Sequence, residues 1–381
     1  MDSRERMLKT FAREETDYTP CLLRFYASKC PNADGYRWKD RVEKVKIEKK
    51  MGVDSEFMVG LGTKVHPEVK TKVWEEKVKG EDYPILHKEY LTPAGKLTAS
   101  VKKTEDWPHG NDIPVMSDFN VSRYVKPLIE TKEDVEKLPY LLYFDKNALP
   151  EWEKEFMKAK ATAQEEKIIL AGNTWDAWYG MESLMWFCGA EKAILLAVEE
   201  PETVKAMLSV VHKSAMETMK VVLEHGVDVI FRRGWYESTD FWSPKMFKEY
   251  AMQNLKEEIN LTHNYNTKFA YIMCTGIMPL LPVFKGLDFD ILDAIEPVLG
   301  NQDLGAIKRE LGDKKCFITG VSAPISIEMG DENKVRKAVR DAFEIFGHKG
   351  FILNAVPSIR PHWPWNNVLT MVDEWKKLRK K

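Results

Sequence analysis

Short apolar runs alternate with amphipathic stretches along most of this chain. The runs are Thr19–Ala27 (TPCLLRFYA), Val53–Gly60 (VDSEFMVG), Lys167–Asn173 (KIILAGN) and Val227–Gly234 (VDVIFRRG), then Phe269–Cys274 (FAYIMC), Ile291–Val298 (ILDAIEPV), Lys315–Ser322 (KCFITGVS) and Gly350–Ala355 (GFILNA). Continuous apolar runs of this length suit strands buried on both faces, as in a parallel sheet covered by helices. The segments between them carry helix starts. Glu200-Pro201-Glu202 places proline at the first helical position with acids at the positive end of the dipole. Ser243 precedes Pro244 as a cap, and Asp331-Glu332 precedes VRKAVRDAFEIF, whose Val335, Ala338, Val339, Ala342 and Phe343 share one face. Eight strands alternating with helices predict an α/β fold, a (β/α)8 TIM barrel spanning residues 1–381 as one domain, preceded by an N-terminal helical segment.

One stretch breaks the rhythm. Residues 63–140 are polar and β-flavoured, and Tyr90-Leu91-Thr92-Pro93-Ala94-Gly95-Lys96-Leu97 reads as a hairpin with turn chemistry at its centre. This predicts a β-rich insertion after the second strand, folded over the barrel mouth.

Composition narrows the function classes. The 381 residues are 44% hydrophobic and 30% charged with a formal net charge of −2, the balance of a globular protein with a full core. The only basic block is the end, Lys376-Lys377-Leu378-Arg379-Lys380-Lys381, which reads as a solvated helix end, so nucleic acid is not an expected partner. No apolar stretch approaches the ~20 residues a spanning helix needs, so no membrane partner is expected. The opening MDSRERMLKTFAREE is a charged amphipathic helix without the apolar core of a signal peptide. Five scattered cysteines suggest reduced thiols in a cytoplasm. Twelve Trp are enough to line an aromatic pocket as well as a core.

In a (β/α)8 barrel, chemistry sits at the C-terminal ends of the strands. That rule selects Asn173, Trp175, Asp176 and Trp178 after strand three, and Arg232, Arg233, Trp235, Tyr236, Glu237 and Asp240 after strand four. It adds Cys274 after strand five, Glu296 and Asp303 after strand six, Ser322 after strand seven, and Asn354, Arg360, His362 and Trp363 after strand eight. Glu237 lies in RRGWYESTDFW, where aromatic walls would raise its pKa and suit a general acid or metal ligand. The alternative is a carboxylate simply paired with Arg232 or Arg233. Cys316 and Cys188 read as structural. There is no Cys-x-x-Cys, HExxH, GxGxxG or nucleophile elbow.

Several segments resemble the uroporphyrinogen decarboxylase superfamily in order and spacing: ERMLKTFAREETDYTP, SPKMFKEY, FITGVSAP and GFILNAVPSIRPHWPWNNV. True decarboxylases of that superfamily carry an Arg-rich RQAGRY segment, an Asp after strand two and a His in the last loop. Here the first strand continues as Arg24-Phe25-Tyr26, strand two ends in Gly60-Leu61-Gly62, and the His position is Pro357. Thiol-activating methyltransferases place zinc on a His-x-Cys after strand five and on a last-loop Cys; here Ile272 replaces the His, Cys274 remains, and Pro357 replaces the Cys. The chain is more similar to the methyltransferase components of aryl O-demethylases. That resemblance implies transfer of a methyl group from a methoxylated aromatic to cob(I)alamin on a partner corrinoid protein, since no Asp-x-His-x-x-Gly cobalamin motif occurs here. It also makes zinc a candidate cofactor, with Glu237 and Cys274 as ligands or as a proton donor and its neighbour at the ether oxygen. Trp175, Trp178, Trp235 and Trp363 would hold the ring, with Asn173, Arg232 and Asn354 also on the substrate, and Asp176, Tyr236 and His362 would complete the catalytic set. Two rivals remain: a decarboxylase or lyase that grips a carboxylate with Arg24 and Arg232, and a binding protein without turnover. A homodimer is left open.

Overall fold

The computed structural model describes residues 1–173 and 179–380, with only the backbone of Asn173. Its strands are β1 (Cys21–Leu22), β2 (Glu56–Val59), β3 (Lys70–Glu76), β4 (Ile85–Thr92), β5 (Gly95–Lys102), β6 (Tyr124–Lys126), β7 (Ile169–Asn173), β8 (Val229–Arg233), β9 (Lys268–Ile272), β10 (Ile291–Ile295), β11 (Cys316–Ser322) and β12 (Phe351–Val356). Eight of them pair in parallel in the order β1-β12-β11-β10-β9-β8-β7-β2. Each falls on one of the eight apolar runs, β9 starting one residue before its run and β12 ending one residue after, and together they curl into a (β/α)8 barrel.

Alternation along each strand divides the core in two. Leu22, Ala171, Phe231, Ile272, Ile318 and Ile352 point into the lumen and pack as one cluster. Their neighbours, among them Leu170, Ile230, Tyr271, Phe317 and Leu353, pack outward against the helices. Helix α1 (Ser3–Phe11) lends Met7 and Phe11 to the lumen cluster, so the predicted N-terminal helix plugs the end of the barrel opposite the mouth. Buried Arg6 fastens that plug to Asp17 and Asp54, at 2.6 and 2.7 Å. The predicted helix starts form as capped turns. Ser243 Oγ accepts from the Met246 amide, Asp331 Oδ1 accepts from the Lys334 amide, and Pro201 opens a helix running to Glu224. No helix among the described residues is long and apolar enough to cross a membrane.

Strand β1 is shorter than its run. Pro20 has no N–H to extend the ladder, and beyond Leu22 the chain turns at Ala27 and Ser28, which have φ of 50° and 54°. As a result β1 and β2 stand at the two ends of the sheet with no ladder between them. They meet at Asp54, whose amide donates to the Cys21 carbonyl (2.9 Å). The rest of this seam is bridged by side chains: Arg24 Nε donates to Glu56 Oε1 at 2.8 Å.

Strands β3–β6 form a separate antiparallel sheet between β2 and β7. The sequence hairpin is the β4–β5 turn, closed by Thr92 Oγ1, which accepts from the Ala94 amide and donates to the Gly95 carbonyl. Lys64 and Tyr143 exchange both backbone hydrogen bonds where the segment leaves and rejoins the barrel.

Candidate active site

The upper lumen is polar. On the inward faces, Arg24 follows β1, Glu56 lies on β2, Asp293 on β10 and Asn354 on β12. The Arg24 guanidinium bonds Glu56 and Asp293 and lies 4.5 Å from the centre of the Phe231 ring. Burial raises the pKa of Asp293 against the opposing pull of Arg24. Asp293 Oδ1 and both amide atoms of Asn354 are buried without a hydrogen-bond partner among the described residues. A buried polar atom left unpaired is costly, so these atoms mark a place built to receive hydrogen bonds.

Above this layer sits a second ion pair. Arg233 continues the inward face of β8, and its Nε lies 2.7 Å from Glu182 Oε1. Glu182 Oε2 accepts from the Trp235 amide at 3.1 Å. The guanidinium stacks over Trp186 (4.3 Å) and Trp235 (5.4 Å), both aromatic faces that favour a cation. Burial pushes the Glu182 carboxyl up to about 7, with Arg233 opposing and Glu237 and Asp118 adding to the rise. The Cys274 thiol is held well up by burial and by the negative fields of Asp293, Glu296 and Glu182. Cys274 and Trp235 both pack on the lumen cluster. Glu296 Oε1 accepts from the Val298 and Leu299 amides, and burial raises its pKa too. Segment 63–140 reaches the same place: Met116 Sδ lies 3.5 Å from Arg233, and Asp118 Oδ1 accepts from Trp186 Nε1.

Glu237 and Arg232 lie on the other side of the barrel wall. Arg232 faces outward beside Tyr271 and is fully buried. It bonds Glu237 Oε2 at 2.5 Å, Glu237 Oε1 at 3.0 Å and Glu258 Oε2 at 2.9 Å. Tyr271 Oη donates to Glu237 Oε2, and the Met181 amide donates to Oε1. Of the two readings left open for Glu237, pairing with Arg232 is the one the geometry contains. Glu237 and Cys274 are therefore not brought together, because the sheet separates their side chains. Among the described residues no three His, Cys, Asp or Glu groups are arranged to hold a metal ion, so zinc does not fit the Glu237–Cys274 pair. Arg232 is likewise spent on two glutamates and does not face the lumen.

The remaining predicted residues divide. Tyr236 packs edge-on against Trp186 and Phe241, and its hydroxyl pKa is raised by burial and by Asp118 and Glu182. Trp235 and Asn354 reach the mouth and lumen. His362 is exposed, and buried Trp363 packs beside it and beneath Arg360, on the loop after β12 that bonds the Asn32 amide. Among the described residues, no hydrogen bond or ring contact joins either to Tyr236 or Cys274. Trp175, Asp176, Trp178 and the Asn173 side chain lie outside the described residues. Sequence reasoning passed over Glu182, Asp293 and Glu56. Each had a signal: an acid embedded in an apolar run (MESLMWFC, ILDAI, SEFMV) is rarely left unpaired.

A (β/α)8 barrel hosts many unrelated activities, and the decisive comparison is at the level of sequence. Residues 115–378 match the family described as Uroporphyrinogen decarboxylase (URO-D). The chain belongs to that family. Among solved structures, this family member is similar to a methyltransferase from Methanosarcina mazei, with a TM-score of 0.56 and 15% identity over 99% of each chain. It is more loosely similar to a B12-independent methionine synthase from Shewanella sp. W3-18-1, with a TM-score of 0.43 and 12% identity over 94% of each chain. The first likeness concerns the fold; the second superposition is too loose to bear on this chain. No curated protein matches the sequence.

Proposed function

We propose that this chain is the methyltransferase component of an aryl O-demethylase, taking a methyl group from a methoxylated aromatic and passing it to a corrinoid on a partner protein. The observation that carries the reading is Glu182: a buried carboxyl with a pKa of about 7, set among Trp186, Trp235 and Tyr236 at the barrel mouth. Cleaving an aryl methyl ether expels a phenolate, and a proton delivered to the ether oxygen removes the charge on that leaving group. A carboxyl with a pKa near 7 is protonated about half the time at neutral pH and still gives its proton up. Glu182 thus takes the acid role in place of Glu237. Arg233 anchors Glu182 from the lumen side, and the indoles around it offer flat walls to a phenyl ring.

Glu237 acts one residue away. By accepting from the Met181 amide it fixes the start of the helix Glu182–Cys188, and so the direction in which Glu182 leaves the chain. Gly180 makes this possible: a Cβ there would sit 2.0 Å from Glu237 Oε1 and 2.3 Å from Arg232 Nη2. Tyr236 and Cys274 flank the acid. The partner's cob(I)alamin would supply the nucleophile that receives the methyl group in line, a positioning problem for the mouth. Segment 63–140, which touches Arg233 and Trp186, we read as the cover that excludes water from that step.

The decarboxylase or lyase alternative loses Arg232 as a carboxylate ligand, and its Arg24 is already bonded to Glu56 and Asp293. An anaerobic assay decides between them. Purified chain, cob(I)alamin and a panel of methoxybenzenes should yield the methylated corrinoid, followed by its absorbance. The rate should fall about 100-fold or more in Glu182→Gln, the scale of a lost general acid. Silence across the panel for the wild-type chain would sink the methyltransferase reading.

A further inference from the structure

The antiparallel sheet of segment 63–140 ends in two edges that are built differently. At one edge β6 is three residues long, and its pairing with β5 is interrupted by a register shift between Ser100 and Val101. Short length and a broken register are ordinary ways of keeping an edge strand from pairing with another chain. The other edge, β3, has neither. It is seven residues long, contains no proline or glycine, and stays in unbroken register with β4 from Lys70 opposite Leu91 to Glu76 opposite Ile85. Six of its seven residues are exposed, and Val73 is half-buried. Trp74 stacks on His87 yet remains 36% exposed. Among the described residues, the outer backbone groups of β3 meet no other strand. Charge along the strand is segregated, with Lys70 and Lys72 in its first half and Glu75 and Glu76 in its second. Glu75 pairs with Lys103 at 2.8 Å and Glu76 with His87 at 3.1 Å. Among the described residues neither lysine forms an ion pair; Lys72 Nζ lies 5.5 Å from the centre of the Trp74 ring.

We propose that β3 is a self-complementary edge, to which a second copy of this chain adds its own β3 in antiparallel pairing about a two-fold axis at Val73. The two sheets then run together as one, and main-chain hydrogen bonds complete the outer side of each β3. Charge fixes the register. Centred on Val73, all seven residues pair: Lys70 faces the partner's Glu76, Thr71 faces the partner's Glu75, and Lys72 faces the partner's Trp74. Each of these pairs occurs twice across the axis. Directly opposite residues have Cβ atoms about 4.5–5.5 Å apart, within reach of an ion pair or of a cation on an indole face. Neighbouring registers fare worse, because like charges directly opposite are destabilising. Centred on Lys72, that lysine meets itself and Glu76 meets Glu68. Centred on Trp74, Glu75 faces Val73 and only Lys72 through Glu76 still pair. A single edge strand makes a small interface, so the association depends on concentration and is not obligate. This assembly is independent of the methyl-transfer reading.

The test is sedimentation of the purified full-length chain over a range of concentrations. The wild type should pass from monomer to dimer as concentration rises, and the dimer should weaken at high salt. Glu75→Lys/Glu76→Lys makes the strand wholly basic, and Lys70→Glu/Lys72→Glu makes it wholly acidic. Each variant alone should dimerise at least about tenfold more weakly, since it sets like charges opposite each other. Mixed one to one, the two variants should restore a heterodimer close to the wild type in strength. A role for these side chains within a single chain would not produce that rescue. Should the basic variant fail to fold by freeing Lys103 and His87, the acidic variant carries the test, since its lysines hold no ion pair. A wild type that stays monomeric up to about 100 μM overturns the proposal. A dimer of unchanged strength in the folded acidic variant overturns it too, as does weakening in both folded variants without rescue in the mixture.

Discussion

At the scale of residues, the two buried glutamates near the mouth make opposite predictions. Glu182 has a folded-state pKa of about 7 against an ordinary value of 4.5. Folding therefore favours its protonated form. The associated stability is fully present below about pH 4.5 and is lost as pH rises through 7, by up to about 3 kcal/mol. Thermal melts of wild type and Glu182→Gln between pH 4.5 and 8 should show the wild type losing more over this window. Parallel curves would mean that Glu182 is ionised throughout. The proposed rate should fall above pH 7 as the acid deprotonates. Glu237 is a structural anchor in the same geometry. Glu237→Ala leaves Arg232 and Glu258 buried with a broken network and should cost about 3–5 kcal/mol in chemical denaturation. A stable Glu237→Ala protein with lost activity would instead restore its candidacy as the acid. Gly180→Ala meets both Glu237 and Arg232 and also requires a left-handed backbone at φ 51°, so it should destabilise by about 2 kcal/mol or more.

At the scale of elements, helix starts were the most legible feature, because a cap is a local bargain between one side chain and one amide. Asp331→Ala, removing the bond to the Lys334 amide, should cost about 1 kcal/mol by denaturant titration, with Asp331→Asn nearly neutral. All eight barrel strands could be placed from apolar runs, and the β4–β5 turn from its Pro-Ala-Gly. The length of β1 could not. The run Thr19–Ala27 has strand composition throughout, but pairing requires a neighbour in register, and only Cys21 and Leu22 have one on β12. The open seam between β1 and β2 follows from that early departure, and no periodicity announces it. The face of a residue at a strand end was equally hidden. Arg232 and Arg233 are adjacent and chemically alike, yet one is sealed behind the sheet with Glu237 and the other meets Glu182 in the mouth. A shift of one residue exchanges those fates.

At the scale of the whole molecule, the proposed methyl transfer would bring its partner to the barrel mouth. Val298 and Leu299 stand 53% and 44% exposed on the loop after β10, just beyond Glu296, which holds their amides. If a corrinoid protein docks there, Val298→Asp/Leu299→Asp should weaken methyl transfer to that protein while transfer to free cob(I)alamin stays unchanged. Equal loss with both acceptors would place the defect inside the barrel. Strand count, the parallel (β/α)8 architecture, the hairpin and the family could all be read from the chain, because each is written in local patterning or in the order of short motifs. Tertiary structure alone decided which carboxylate holds the pKa near 7, since burial and the placing of Arg233, Glu237 and Asp118 around Glu182 are properties of packing. It also decided that Glu237 and Cys274 stand on opposite sides of one wall, because whether a side chain faces the lumen or the helices depends on how the closed sheet is registered.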